Sequence, residues 1–87
     1  MSKYADQLEC ASIELENGDA AKAERLRINE TGEIEIRFSW WTQNGNQFQH
    51  APLDIPEKEW LKLFEAALKN NVFSKEFVND LIRILKS

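Results

Sequence analysis

Few side chains in this 87-residue chain have the types and spacing that catalysis or metal binding requires. A nucleophile needs a base within hydrogen-bond reach, yet nothing in the sequence links the single histidine, His50, to the single cysteine, Cys10, or to a serine. One Cys and one His do not make a standard zinc site. Acids such as Glu33 and Glu35 alternate along a strand, as on a solvated face. The sequence therefore predicts that the protein is not an enzyme and has no catalytic residues, no metal site and no cofactor.

The most unusual segment lies between Phe38 and Leu53, where the chain carries no formal charge. This segment holds Trp40 and Trp41 side by side, followed by Phe48, and it includes three glutamines and two asparagines. A solvated loop has no reason to gather tryptophans, and a core strand has no reason to gather glutamines. We therefore interpret the segment as a surface that meets a partner.

The charge of the chain limits what that partner is. The formal net charge is -4 and the pI is about 5.0, whereas proteins that bind nucleic acid mainly by neutralising phosphates carry an excess of Lys and Arg. Residues 1–37 hold nine acids and five bases, while residues 54–87 hold six of each. The negative excess thus lies entirely in the N-terminal part.

Length and composition predict a single domain over residues 1–87 with one core. The lone Cys10 cannot form an internal disulfide, and the N-terminus lacks the pattern of a secretory signal, so we expect a cytoplasmic protein. The longest uncharged stretch is broken by Pro52, so no membrane partner is expected.

Period-two patterning predicts the strands that position the aromatic segment. After the turn residue Gly32, one face of a strand is apolar and the other is mostly polar; the apolar positions are Ile34, Ile36, Phe38 and Trp40. Trp40 then suits the core, whereas Trp41 lies beside Arg37 on the outer face, unless a bulge at the double tryptophan exchanges them.

The other predicted strands include residues 25–28, 11–15 and 47–51. The last of these either ends at Ala51, before Pro52, or extends to Leu53. Hairpin turns are expected at residues 29–32, 17–18 and 44–46. The first ten residues fit either a strand or a short helix that begins at Ser2.

Two helices are expected after the strands. Asp54 and Glu57 have the spacing of a capping box, Asn70 and Asn71 end the first helix, and Ser74 caps the second. The first helix should turn inward an apolar stripe of Trp60, Leu61, Phe64, Ala67 and Leu68. The second has a stripe within residues 77–85, which packs either in the monomer or across a dimer. The predicted fold class is α+β, an antiparallel four-stranded sheet followed by two C-terminal helices packed on one face.

A family resemblance extends over residues 25–68. The sequences Ile36-Arg37-Phe38-Ser39-Trp40, Gln43-Asn44-Gly45 and the run at residues 53–63, which includes Trp60 followed by Leu63, together resemble the positive cofactor four family of single-stranded-DNA-binding transcriptional coactivators. The resemblance implies a curved four-stranded antiparallel sheet, a helix that helps to build a homodimer, and bases stacked on the sheet. Arg37 and Trp40 match family positions that contact DNA.

This chain departs from the family pattern in its cations. The family's hairpin turn carries an aromatic and lysines, where this chain has residues 29–33 with two glutamates, and the family's basic loop before the helix is replaced by residues 47–52. Without those cations most of the counterion-release contribution to DNA binding is lost.

Two hypotheses follow for a non-enzymatic binding module. In the first, single-stranded nucleic acid binds an aromatic and amide-rich sheet surface. In the second, a small acidic protein-interaction module, an inhibitor or adaptor of phage or mobile-element type, uses the same surface on a basic protein. Both expect a homodimer. The candidate binding residues are Arg25, Arg27, Arg37, Trp40, Trp41, Gln43, Asn46, Phe48 and Gln49.

Overall fold

The computed structural model of the chain describes residues 4–87. The elements in chain order are β1 (Ala5–Glu14), β2 (Ala20–Ile28), β3 (Ile34–Thr42), β4 (Gln47–Gln49), α1 (Glu57–Lys69) and α2 (Lys75–Lys86). The strands form one antiparallel sheet in the order β1-β2-β3-β4, so every neighbouring pair is also consecutive in sequence. The predicted four-stranded sheet followed by two helices is confirmed.

The first strand resolves the ambiguity at the N-terminus for the residues that are described. β1 begins at Ala5 and pairs with β2, with a bulge between Gln7 and Glu9. The helical alternative is therefore wrong from Ala5 onward, and its proposed start at Ser2 lies outside the described residues. The bulge adds local twist to the edge strand.

Helix α1 packs on β1 and β2 through small side chains. Ala11, Ala21 and Ala23 of the strands contact a buried cluster that includes Leu63 and Ala67 of the helix. Alanine leaves room for the helix backbone to approach the sheet closely, so both helix residues are completely buried. This packing fixes which face of the sheet is covered.

The inward face of α1 differs from the predicted stripe. Of the predicted stripe, Ala67 is buried and Trp60 and Phe64 pack partly buried against the core, whereas Leu61 and Leu68 are exposed. The other two buried positions, Glu59 and Leu63, were not predicted. The helix has apolar residues around much of its circumference, so periodicity alone does not select the face that meets the sheet. The alanines on β1 and β2 select it.

The apolar row of β3 is only partly covered. Ile34 is exposed, Ile36, Phe38 and Trp40 are half-buried, and the single buried residue of this strand is Ser39, on the other face. The apolar row of β3 is only half-covered because α1 lies mainly over β1 and β2 and reaches β3 through the contacts of Phe38 with the rings of Trp60 and Phe64.

The two helices begin differently. Within the described residues, no side chain caps the first turn of α1, whose N-cap is Pro56, so the capping box predicted at Asp54 is wrong. The N-cap predicted for α2 is confirmed, because the Ser74 hydroxyl accepts a hydrogen bond from the Phe77 N–H at 3.1 Å. Neither helix in residues 4–87 is long and apolar enough to cross a membrane.

Candidate functional site

The sheet has one face covered by α1 and one face opposite to it, here named the open face. Side chains alternate between faces along a strand, so the pairing of Lys22 with Ser39 and of Glu24 with Arg37 places these four side chains on the open face. Trp41 follows the same alternation, and its partner in β4 is Phe48.

Aromatic rings and cations lie together on this face. The rings of Trp41 and Phe48 meet edge to face with centroids 5.4 Å apart, and Phe48 meets His50 in the same way at 4.9 Å. The Lys22 ammonium lies 3.8 Å from the Trp41 ring centroid, and the Arg37 guanidinium lies 5.3 Å from that of Phe48. This arrangement combines ring contacts with cation–π contacts.

A buried carboxylate lies beneath these groups. The Glu24 side chain is only 5% exposed. Its Oε1 accepts a hydrogen bond from Arg37 Nε at 2.9 Å and forms an ion pair with Arg37 Nη2, also at 2.9 Å. Ser39 Oγ donates to the same oxygen at 3.4 Å, and Trp41 Nε1 donates to Ser39 Oγ at 2.7 Å. Because a buried carboxylate is costly unless it is paired, Arg37 and Ser39 stabilise Glu24. Ser39 also fixes the orientation of Trp41 by accepting its indole N–H.

The second cation of the open face is also held within the chain. Lys22 Nζ donates to the Gly45 carbonyl at 3.1 Å, so it joins β2 to the β3–β4 turn while lying over Trp41. A phosphate on this face would have to compete with the Glu24 carboxylate for Arg37 and with the Gly45 carbonyl for Lys22.

The open face is concave beside Trp41. A hollow of about 410 Å³ is lined by Ala5, Asp6, Gln7, Glu24, Leu26, Arg37 and Trp41. Its apolar part comes from a small buried cluster that includes Ala5 and Leu26. The hollow can therefore accept an apolar or aromatic side chain beside a paired guanidinium and carboxylate.

The structure brings together three of the predicted site residues, Arg37, Trp41 and Phe48. Trp40 lies on the opposite face, as its predicted parity requires, and its Nε1 donates to Asp19 Oδ2 at 2.8 Å. The bulge that would have exchanged the two tryptophans is not present in the pairing of β2 with β3.

Five other predicted residues lie away from this cluster. Arg25 donates to the Val72 carbonyl at 3.1 Å, and Arg27 pairs with Asp6 at 3.2 Å. By strand alternation both arginines share the face of α1. In the register of β3 and β4, Gln49 lies opposite Trp40, so it is also on the face of α1 and away from Trp41. Gln43 and Asn46 lie in the β3–β4 turn.

Sequence reasoning missed Lys22, Glu24 and Ser39. The predicted strand began at Arg25, whereas β2 begins at Ala20. The alternation of Ala21 and Ala23 with Lys22 and Glu24 was the available signal, because it places both charged residues on one face.

A second groove lies on the other face beside Trp40. It has a volume of about 570 Å³ and its lining includes Leu53, Ile55, Glu16, Asp54 and the buried Glu59. Glu59 pairs with Lys62 at 3.3 Å. Three carboxylates along an apolar groove disfavour a phosphate-bearing ligand there.

In the described part of the chain, no group of three or more His, Cys, Asp or Glu side chains is arranged to hold a metal ion. Comparison with protein-family models, with curated proteins and with solved structures found no significant match to this chain.

Proposed function

We propose that this chain is a non-enzymatic protein-binding module and that the open face around Trp41, Phe48 and the adjacent hollow binds the partner. The observation that carries the proposal is the pairing of Arg37 with the buried Glu24 at 2.9 Å. Because this cation is satisfied within the chain, the face offers aromatic area and shape rather than free positive charge.

The surroundings of the hollow favour a partner with a basic surface. Glu14 and Glu35 are exposed and, by strand pairing, lie on the open face. Acidic groups around an apolar centre steer a basic protein surface toward it and repel nucleic acid. The net charge of -4 acts in the same direction.

Single-stranded nucleic acid is the second candidate, supported by the cations that lie against rings. Lys22 is 3.8 Å from the Trp41 centroid and Arg37 is 5.3 Å from that of Phe48, and stacking platforms for bases combine such groups. However, Arg37 and Trp40, the two positions suggested by the family resemblance, lie on opposite faces of the sheet. A strand of nucleic acid on one face would contact only one of them.

Differential capture tests the protein-binding proposal. The full chain, a Phe48→Ala variant and a Gln47→Ala control are immobilised and exposed to a lysate of the source organism, with and without nuclease treatment, and bound proteins are quantified by mass spectrometry. Gln47 is exposed and is the neighbour of Phe48 in β4, on the other face. Circular dichroism first establishes that both variants fold.

We expect the wild type and Gln47→Ala to enrich the same proteins, and Phe48→Ala to lose at least about tenfold of that enrichment, as for an aromatic hot spot. Equal enrichment by all three chains would reject the open face as a protein-binding site. Capture that disappears on nuclease treatment would instead support nucleic-acid binding.

A further inference from the structure

The chain between β4 and α1 runs along the groove beside Trp40 without joining the sheet. Residues 52–56 contain no turn or bend, and Pro56 favours an extended conformation at the residue before it. Leu53 and Ile55 pack partly buried against the core, whereas the residues between and beside them are exposed. This alternation is that of a strand with one covered face.

The backbone of this strand-like segment is available for pairing. Among residues 4–87, no hydrogen-bond partner contacts the main-chain N–H or C=O groups of Leu53, Asp54 or Ile55. Free groups along an extended edge are a template for a second extended chain. Pro52 and Pro56 lack an N–H and so bound the pairing region. Three extended residues span about 10 Å, which suits a short peptide segment.

The groove itself offers apolar surface to the side chains of such a segment. Its volume of about 570 Å³ falls within the roughly 300–1,000 Å³ of ligand-binding clefts. The indole of Trp40 is half-buried, and its orientation is fixed because its Nε1 donates to Asp19 Oδ2 at 2.8 Å. The aliphatic side chains that complete this surface are those of Leu15, Leu53 and Ile55. An immobile indole beside aliphatic groups suits an aliphatic side chain of a partner.

Negative charge remains at the groove after the ion pairs within the chain are taken into account. The buried Glu59 pairs with Lys62 at 3.3 Å, and Glu16 pairs with Lys58 at 3.5 Å. The side chains of that second pair are 83% and 68% exposed, so an incoming cation can replace Lys58 at little cost. Asp54 also lines the groove and forms no ion pair within the described residues. The groove is therefore complementary to a cationic segment.

We propose that this groove is a second binding site, which takes an extended segment of a partner protein in which lysine or arginine alternates with aliphatic residues. The backbone of the segment pairs with residues 53–55, its aliphatic side chains contact Trp40, and its cations contact Asp54 and Glu16. A helical segment would leave the free backbone groups unpaired, because its own groups are bonded internally. The inference does not depend on the proposed function, because Trp40 and Trp41 lie on opposite faces of the sheet.

Heteronuclear NMR of the full chain, titrated with the peptide acetyl-Lys-Val-Lys-Val-Lys-amide, tests this site. We expect saturable shifts of the amide signals of residues 53–55 and of the Trp40 indole N–H, with no shift of the Trp41 indole N–H. The same peptide with glutamate in place of lysine should bind at least about tenfold more weakly.

A pair of matched variants tests the charge contribution. Asp54→Asn should weaken binding of the lysine peptide about threefold. Glu65→Gln should leave it unchanged, because Glu65 pairs with Lys69 at 3.7 Å on α1 and does not line the groove. Equal affinities for the wild type and Asp54→Asn would overturn the proposed contact of the cations with Asp54.

Backbone methylation of the peptide tests the strand-like pairing. Alternate amide groups of an added strand face its neighbour, so two peptides are made, each N-methylated at one alternate set of amides. We expect one of them to bind at least about tenfold more weakly than the unmethylated peptide, and the other to bind as well. Equal affinities of all three peptides would overturn the backbone pairing.

Three results would overturn the proposal as a whole. The first is no shift of the Trp40 indole N–H up to about 10 mM lysine peptide, or a shift of the Trp41 indole N–H alone. The second is a shift of the Trp40 indole N–H with pentylammonium but not with the peptide, which would assign the groove to a small organic cation. The third is a shift of the same signals when the concentration of the chain alone is raised, which would assign the groove to a second copy.

Discussion

Replacing Arg37 with methionine removes the guanidinium from Glu24 while it keeps most of the apolar stem. Arg37 supplies both of the 2.9 Å contacts to Glu24 Oε1, and Ser39 would remain as a donor at 3.4 Å. An unpaired buried charge costs roughly 3–5 kcal/mol when its partner was also buried. The Arg37 side chain is 41% exposed, so water can replace part of the lost interaction. We therefore expect a loss of about 2 kcal/mol in the free energy of unfolding.

Urea denaturation followed by circular dichroism measures this loss. The matched control is Lys58→Met, because Lys58 and Glu16 form an ion pair at 3.5 Å with side chains 68% and 83% exposed. That control should cost less than about 0.5 kcal/mol. In a Glu24→Gln background, Arg37→Met should cost at least about 1 kcal/mol less than in the wild type.

Equal costs for Arg37→Met and Lys58→Met would refute the reasoning. Arg37 would then contribute no more to the free energy of unfolding than a surface lysine, and it would be free to bind an external anion. A large cost that persists unchanged in the Glu24→Gln background would show that Arg37 stabilises the fold without acting through Glu24.

Three further predictions concern the elements that position the open face and α2, and urea denaturation checks each of them. The Gln43 backbone has a φ of 53°, in the left-handed region that glycine adopts without strain. Gln43→Gly should therefore raise the free energy of unfolding by about 1 kcal/mol, whereas Gln47→Gly in β4 should lower it. A loss at both positions would show that the turn is unstrained. Ser74→Ala should cost about 1 kcal/mol, because it removes a capping hydrogen bond of 3.1 Å, and an unchanged stability would mean that α2 needs no cap. Leu63→Ala should cost roughly 3 kcal/mol at a fully buried site, while Leu61→Ala, at an exposed one, should cost less than about 0.5 kcal/mol; the reverse order would place the opposite side of α1 against the sheet.

The sequence predicts the two tryptophans well because strand alternation is a local property. Period two placed Trp40 with Ile36 and Trp41 with Arg37, and the regular pairing of β2 with β3 keeps that arrangement. The polar network beneath Trp41 was harder to predict from the sequence, because the burial of Glu24 depends on groups contributed by a neighbouring strand.

The packing of the helices could not be read from their own periodicity. Both Leu61 and Leu63 lie on apolar parts of α1, and the choice between them depends on Ala21 and Ala23, far away in the sequence. The exposure of Leu85 likewise follows from where α2 lies relative to the sheet rather than from its amphipathic pattern. Non-local packing decides which of several apolar faces is buried.

A tryptophan-fluorescence titration with oligothymidine at low and at physiological salt tests most directly whether the open face is a protein-binding surface rather than a nucleic-acid-binding one. The titration is repeated with Trp41→Phe, so that the signal of Trp41 is separated from those of Trp40 and Trp60. Because the cations beside Trp41 are engaged by Glu24 and the Gly45 carbonyl, we expect no quenching even at low salt. Quenching that is lost in Trp41→Phe and collapses as the salt concentration rises would contradict this expectation and establish nucleic-acid binding at this face.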